Sequence, residues 1–292
     1  MAVISRGAEL YTTRRLLVAG RARGHEMLLV PILNSWLQVS GERPELWLGG
    51  ERVTGIEAVI PRIGSFMPSL ALSLLRHWEG AGVPTLNRSH AIAGSRDKWR
   101  TLERLGRAGI PVPRTVLMKD LDQLPQALAA VGGVPVVIKP LVGEQGRAVV
   151  LAESHEGALS VLEALLYLNR DLIVQEFLPE CSDLRALVSG GRLLAAARCR
   201  APQGRFRANL HQGGTLERVS LSPELTELAL AATWECGLTL AGVDLLENQR
   251  GPVVLEVNAA PGLEGLESCT GLDLASQIVD DAVEAAVQEG KR

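Results

Sequence analysis

Apolar positions recur along the chain in two rhythms. Short apolar runs at Ala2–Ser5, Glu26–Pro31, Ala58–Pro61 and Val83–Leu86 predict strands. Between them, Tyr11–Arg23, ended by Gly24, and Ser69–Gly80 carry the spacing of amphipathic helices. That β-α-β order predicts a parallel sheet with helices packed on it. The pattern changes further on. Asp97–Ala108, ended by Gly109, reads as a helix, and Pro111 and Pro113 stiffen the connector behind it. A strand from Thr115, a helix at Leu121–Val131, and strands at Val134–Pro140 and Ala148–Leu151 follow, the last two joined by a Gly-containing turn. Glu156–Asn169 reads as a helix and Leu172–Phe177 as a strand, and Leu184–Ser189 pairs with Arg192–Ala197 across Gly190-Gly191. Leu221–Cys236 and Asp273–Gln288 are long helices. The expected class is α/β followed by α+β. Residues 1–90 form an N-terminal α/β domain, 91–175 and 176–292 form two lobes, and the site lies between the lobes.

Composition narrows the partners. With 292 residues the chain is long for one core. Aromatic content of 3% and a net charge of -3 argue against stacking platforms and a phosphate-backbone footprint, so no direct nucleic-acid partner is expected. No apolar run approaches the roughly 20 residues of a membrane span, and MAVISRGAELYTT lacks the form of a secretory signal. Cys181, Cys199, Cys236 and Cys269 form no CxxC pair, which fits reduced thiols in a cytoplasmic protein.

The chemistry concentrates near the C-terminus. In VVLEVNAAPGLEG, an apolar strand ends in Glu256 and, two residues on, Asn258. Strand side chains alternate, so both face one way. Asp244 in LTLAGVDLL brings a second carboxylate. Two carboxylates and an amide oxygen suit a hard cation such as Mg²⁺, with Mn²⁺ as the alternative. Lys139 ends the strand VVIK beside the turn Gly143–Gly146, and both can serve phosphate oxygens, although an exposed lysine on an ordinary hairpin explains the same residues. No GxxxxGK[ST] or GxGxxG occurs. Gln175-Glu176-Phe177 can read an adenine edge, with Glu176 as acceptor, or be a plain strand end. Asp183 and Arg185 can pair with each other or hold a ribose. Arg198, Arg200, Arg205 and Arg207 crowd ahead of Asn209 and His211, as a solvated face or as counter-charges across a cleft. Arg207 and Asn209 are the preferred phosphate and metal helpers. Arg62 in VIPRIG can clasp a carboxylate. The turn Pro261–Gly265, ahead of Glu267, reads as the lid of a substrate pocket.

The segments AVIPRIG, SRDK, VIKPLVGEQG, VQEF, FRANLHQGG, AGVDLL and LEVNAAPGLEG stand in the order found in the ATP-grasp superfamily. Over nearly the whole length the chain resembles the RimK family of peptide-forming glutamate ligases. The resemblance implies an ATP-grasp fold behind an N-terminal pre-ATP-grasp domain. It implies Lys98 and Lys139 on ATP phosphates, Glu176 and Phe177 at the adenine, and Asp183 at the ribose. Arg207 and Asn209 would lie near the phosphates, with Asp244, Glu256 and Asn258 on Mg²⁺. Arg62, Arg200 and His211 are the substrate candidates. The implied reaction phosphorylates a carboxylate with ATP, and an amino group then displaces phosphate. The donor would be glutamate and the acceptor the C-terminal carboxylate of a protein or peptide. Gln212, where the ribosomal-protein-modifying members usually carry arginine, keeps open a carrier protein or small cofactor as acceptor. A non-catalytic ATP-binding module is the reading from another class. Family members commonly assemble as dimers or tetramers, so a homo-oligomer is expected.

Overall fold

The computed structural model describes residues 1–41, 44–64, 67–143, 149–167, 171–179, 182–200, 214–248 and 250–289. The chain starts with β1 (Ala2–Ser5), α1 (Tyr11–Ala22) and β2 (Leu28–Pro31). A small antiparallel sheet follows, built from β3 (Ser35–Gln38), β4 (Glu45–Leu48) and β5 (Glu51–Arg52). Its strands are short, with tryptophans stacked across the first two, and the apolar periodicity does not announce them. β6 (Val59–Pro61), α2 (Pro68–Gly80) and α3 (Ser89–Ser95) complete this part. β2, β1 and β6 form the expected parallel sheet, with β1 central. The predicted strand at Val83–Leu86 is reduced to a single bridge from Val59 to Thr85. Pro84 lends only its carbonyl, accepting from Val59 N–H at 2.9 Å, because proline has no N–H to extend a ladder.

α4 (Lys98–Arg107) begins at Asp97, whose side chain accepts from the Arg100 N–H at 3.1 Å. Then come β7 (Thr115–Met118), α5 (Leu124–Val131), β8 (Val136–Pro140), β9 (Val150–Ala152), α6 (His155–Tyr167) and β10 (Leu172–Glu176). The sheet order is β7-β10-β8-β9, antiparallel throughout. Leu124, Leu128, Ile138, Leu162, Leu172 and Val174 close a core of their own beneath it. Most of the predicted phosphate turn, residues 144–146, lies outside the described residues.

The remainder is β11 (Ser182–Ser189), β12 (Arg192–Arg200), β13 (Thr215–Arg218), α7 (Pro223–Glu235), β14 (Leu240–Asn248), β15 (Gly251–Asn258), α8 (Glu264–Thr270) and α9 (Leu274–Glu289). Five strands pair in the order β13-β12-β11-β14-β15. This sheet does not make a separate core. Ala2, Ile4 and Val59 pack in one cluster with Leu184, Val243 and Val257, while Val3, Leu16 and Ile60 join Leu187, Leu266 and Ile278. Alternate residues of β1 therefore face opposite layers, which is why all four are buried. Among the described residues no helix is long and apolar enough to cross a membrane.

One buried amide fastens the N-terminal sheet region to the strands β14 and β15. Asn87, 1% exposed, donates to the carbonyls of Leu240 (2.8 Å) and Ala259 (3.1 Å). Its Oδ1 accepts from the N–H groups of Thr239 (2.8 Å) and Leu240 (3.0 Å). Asn87→Ala strands these backbone groups without water, so it should cost at least about 2 kcal/mol. The urea midpoint of the variant measures this; a loss under about 0.5 kcal/mol would show that the clamp is dispensable.

Candidate active site

A cleft of about 600 Å³ opens where the four-stranded lobe, the five-stranded sheet and the C-terminal edge of the parallel sheet meet. Strand register builds its floor. Asp244 on β14 stands opposite Glu256 on β15 and, on its other side, opposite Arg185 on β11. Asp183 lies two residues before Arg185 and so shares its face. A bulge at Asp244/Leu245 bends this pair of strands beside the carboxylates. Asn258 ends β15 opposite Gly242, where a Cβ would come within 2.9 Å of the Pro261 side chain. Glycine at 242 lets the turn after Asn258 fold back over the sheet. That turn is locked by the Ala260 N–H, which donates to Asn258 Oδ1 at 2.9 Å.

Opposite charges interleave across this floor. Arg185 grips Asp244 with two parallel bonds, Nε to Oδ1 at 2.8 Å and a terminal nitrogen to Oδ2 at 2.9 Å. Lys98, on the first turn of α4, brings its Nζ to 3.5 Å from Glu256 Oε1 and donates to the Gly143 carbonyl at 3.3 Å. Lys139, on β8, donates to Gln175 Oε1 at 2.6 Å, and Gln175 in turn donates to Thr115 Oγ1 at 2.8 Å. Burial drives the Lys139 ammonium down to about 8, with Lys98 adding to the effect and Glu256, Asp244 and Asp183 opposing it. Burial also lifts the Asp183 carboxyl to about 6, helped by Asp244 and opposed by Arg185 and Lys139. Asp244 is the largest influence on Arg185 and holds its proton more tightly than usual.

Asp244, Glu256 and Asn258 offer only hard oxygen donors, the chemistry Mg²⁺ takes. A carboxylate oxygen engaged by Arg185 keeps a second lone pair, and so does Asn258 Oδ1. Among the described residues no three His, Cys, Asp or Glu side chains gather as a metal cage, in keeping with a set that is part amide. Burial pushes the Cys199 thiol, opposite Asp183 on β12, up to about 12, so it stays a thiol and no nucleophile.

Other predicted residues fall differently. Phe177 and Arg62 line the cleft, and Arg62 donates to the Ala260 carbonyl at 3.1 Å. Glu176 also lines the cleft, and its carboxylate is held by two arginines. It accepts from Arg114 N–H (2.9 Å), from Arg114 Nε (2.9 Å) and from Arg250 (2.8 Å). Burial pushes its pKa up, but these donors prevail and hold it below the usual range. Arg200 is a correction. It ends β12 opposite Thr215 and bonds exposed Glu217, its diagonal neighbour on β13, at 2.8 Å, outside the lining of the cleft. The expected lid at Pro261–Gly265 is also corrected, since its end begins α8, which is fixed in place. Buried Glu267 accepts from Tyr11 Oη (2.8 Å), Arg15 Nε (2.9 Å) and the first N–H groups of α9 (3.1 Å). Arg207, Asn209, His211 and Gln212 lie outside the described residues. Arg114 went unpredicted as a site feature, and Arg185, expected to pair with Asp183 or hold a ribose, pairs with Asp244 instead, because strand register sets the two opposite each other.

The buried ammonium has a measurable consequence. Its folded value lies below the ordinary 10.5, so the unfolded chain binds more protons between about 8 and 10.5. Across that window stability rises with pH, and below it the full penalty of burying the charge remains. Wild type should therefore gain on Lys139→Met from pH 8 to pH 10 in paired urea titrations. A gap that does not move with pH would mean that the ammonium is solvated.

Comparison with known proteins agrees with this geometry. A family model described as RimK PreATP-grasp domain matches residues 1–92, and one described as RimK-like ATP-grasp domain matches residues 95–282. A protein of Nitrosococcus oceani named "Probable alpha-L-glutamate ligase" is 44% identical over 282 residues, 96% of this chain and 94% of its own. One of the same name from Pseudoalteromonas translucida is 44% identical over 290 residues, covering 99% and 96%. Among solved structures, a RimK domain protein ATP-grasp from Sphaerobacter thermophilus is similar at TM-score 0.75 and 26% identity, covering 97% of this chain and 98% of its own. The ATP-grasp ligase PsnB, solved with a minimal precursor, shares the fold at TM-score 0.79 and 22% identity, with 97% and 98% covered. Matched from end to end in both parts, the chain belongs to the RimK family and is an ATP-grasp ligase.

Proposed function

We propose that the enzyme uses ATP and Mg²⁺ to join the amino group of L-glutamate to a carboxylate at the C-terminal end of a protein or peptide. The observation that carries the reading is the row Arg185, Asp244, Glu256 and Lys98, two adjacent carboxylates flanked by two cations, with Lys139 lining the same cleft. Such a row can bind a polyphosphate with its cation and still leave room for a carboxylate. The names of the two bacterial relatives support glutamate as the amino acid. PsnB, solved with precursor peptides, supports a peptide as acceptor.

In the first step an acceptor carboxylate oxygen attacks the γ-phosphorus of ATP. The bond from that phosphorus to the bridging oxygen breaks, and ADP leaves. In the second, the glutamate nitrogen attacks the acyl carbon, the bond to the phosphate oxygen breaks, and phosphate and a proton are released. Lys98 and Lys139 neutralise the phosphates; Arg207 adds a further cation and Asn209 a neutral donor, both outside the described residues. The segment Gln175–Leu178 lines the adenine end, its backbone set by the arginines on Glu176, and Asp183 faces the ribose. Asp244, Glu256 and Asn258 would hold Mg²⁺, which supplies charge stabilisation on the transferred phosphoryl group. Residues 1–90, 91–175 and 176–292 are the working units, the middle one covering the nucleotide. Arg62 receives a substrate carboxylate, and His211 is a further substrate candidate outside the described residues.

Glu256→Ala should lower ADP formation by about 10²–10³ while leaving the fold intact, since the side chain is half-exposed and removing it opens no cavity. Turnover near that of wild type would remove Glu256 from the metal site. Lys139→Ala should weaken ATP affinity at least about tenfold, as lost charge-assisted bonds do; unchanged affinity in a calorimetric titration would make Lys139 a bystander. Incubation with Mg²⁺, ATP and each amino acid in turn, following phosphate release and product mass, tests the whole reading. Release with glutamate and products longer by glutamate units supports it. Release confined to other amino acids would replace the donor.

A further inference from the structure

Three side chains of the four-stranded sheet form one hydrogen-bonded chain on the face turned from its core. Strand register sets it up. Gln175 on β10 stands opposite Thr115 on β7 and, on its other side, opposite Val137 on β8, two residues before Lys139. Their chain neighbours Val116, Val174 and Ile138 pack in the core beneath, so Thr115, Gln175 and Lys139 share the opposite face. Lys139 Nζ donates to Gln175 Oε1 at 2.6 Å, and Gln175 Nε2 donates to Thr115 Oγ1 at 2.8 Å. Thr115 Oγ1 then donates to the Pro113 carbonyl at 2.9 Å. This far end is fixed. The Glu176 N–H donates to the Arg114 carbonyl, and Glu176 Oε1 accepts from the Arg114 N–H, both at 2.9 Å.

Chemistry gives this chain one direction. A carbonyl only accepts, so the single proton of the Thr115 hydroxyl goes to Pro113, and its lone pairs receive an N–H. The Gln175 amide then turns its nitrogen to Thr115 and its oxygen to Lys139. The reverse orientation would set an NH₂ donor against an ammonium, at a side chain only 2% exposed. The neutrality of the amide matters as much as its direction. A carboxylate at 175 would cancel the ammonium in a buried pair. An amide oxygen takes one of the three ammonium N–H groups and leaves the charge for another anion. Lys98 is steadied differently, by Glu256 Oε1 at 3.5 Å and the Gly143 carbonyl. Lys139 and Gln175 line the cleft and Thr115 does not, so the hydroxyl reaches the nucleotide through Gln175. We infer that Gln175, held by Thr115, is a positioning residue that aims the Lys139 ammonium at the nucleotide phosphates without neutralising it. This deepens the role proposed above for Lys139 and rests on it.

Calorimetric titration with ATP and Mg²⁺, with no amino acid present, reads the effect directly. Gln175→Leu, a change to an apolar side chain of similar size, should weaken ATP affinity at least about fivefold, as loss of a hydrogen bond to a charged group does. Thr115→Val should weaken it at least about threefold, and Thr115→Ser, which restores the hydroxyl, should recover most of that loss. Gln175→Glu keeps the acceptor but adds a charge, and should lose at least as much as Gln175→Leu. Urea midpoints verify folding. The decisive comparison is a double-mutant cycle. Added to Lys139→Ala, Gln175→Leu should cost less than about twofold more, because no ammonium is left to aim. A merely structural glutamine would cost the same factor in both backgrounds. If Lys139→Ala weakens ATP binding while Gln175→Leu and Thr115→Val do not, or if the losses simply multiply, the positioning role is overturned and the ligase reading stands. An affinity unchanged in Lys139→Ala overturns it as well. If wild type binds no ATP with Mg²⁺ present, the ligase reading fails and the positioning role fails with it.

Discussion

The active site depends on one electrostatic constraint: carboxylates brought onto one sheet face need cations beside them. Asp183, Asp244 and Glu256 occupy three adjacent strands, and bare like charges at that spacing would oppose sheet formation. Arg185 and Lys98 answer them from neighbouring elements, with the two-point Arg185–Asp244 bond as the tightest link. The same arrangement prepares the site for its chemistry. Groups that balance one another in the protein alone can exchange partners for a polyphosphate and its cation without a large net change in buried charge. Asp183 and Lys139 register the tension most plainly, one raised and the other lowered by burial.

Packing divides the molecule unequally around this row. The N-terminal parallel sheet and the five-stranded sheet share two cores, and Asn87 bonds both strands at one end of the pair that carries Asp244, Glu256 and Asn258. Charge pairs between α1 and the C-terminal region, among them Arg15 with Glu267 and Arg23 with Asp280, reinforce the union. The lobe carrying Lys139 closes its own core instead. It meets the rest through Glu176 with Arg250 and through the Val254 N–H on the Pro111 carbonyl at 2.9 Å. A unit with a private core and few outward bonds can pivot without breaking its packing.

Much of the fold was legible in the sequence because its signals are local. The helices at Tyr11, Asp97 and Leu221, the strands at Ala2 and Leu172 and the Gly190-Gly191 hairpin follow from periodicity and punctuation, to within a few residues. The small sheet at Ser35–Arg52 escaped because its strands are short and partly exposed, and Val83–Leu86 was overcalled because Pro84 ends the ladder. Glu176 and Glu267 show a second limit. Nothing local in the sequence marked either as an anchor, and each is held by donors distant in sequence.

The sequence by itself determined the class of the protein and which strands carry Asp244, Glu256 and Asn258. A strand ending in Glu-x-Asn ahead of Pro-Gly, with an aspartate on another strand, is a local pattern whose geometry follows from the backbone's alternation. Only the tertiary structure decided which cation faces which carboxylate. Arg185 and Asp244 are 59 residues apart, and Arg62 meets the Ala260 carbonyl across 198. No periodicity reports such meetings, because they arise from strand order and register, which the packing of whole layers sets. That packing also gathered Arg6, Arg62 and Arg96, scattered through the first third of the chain, onto one edge of one cleft.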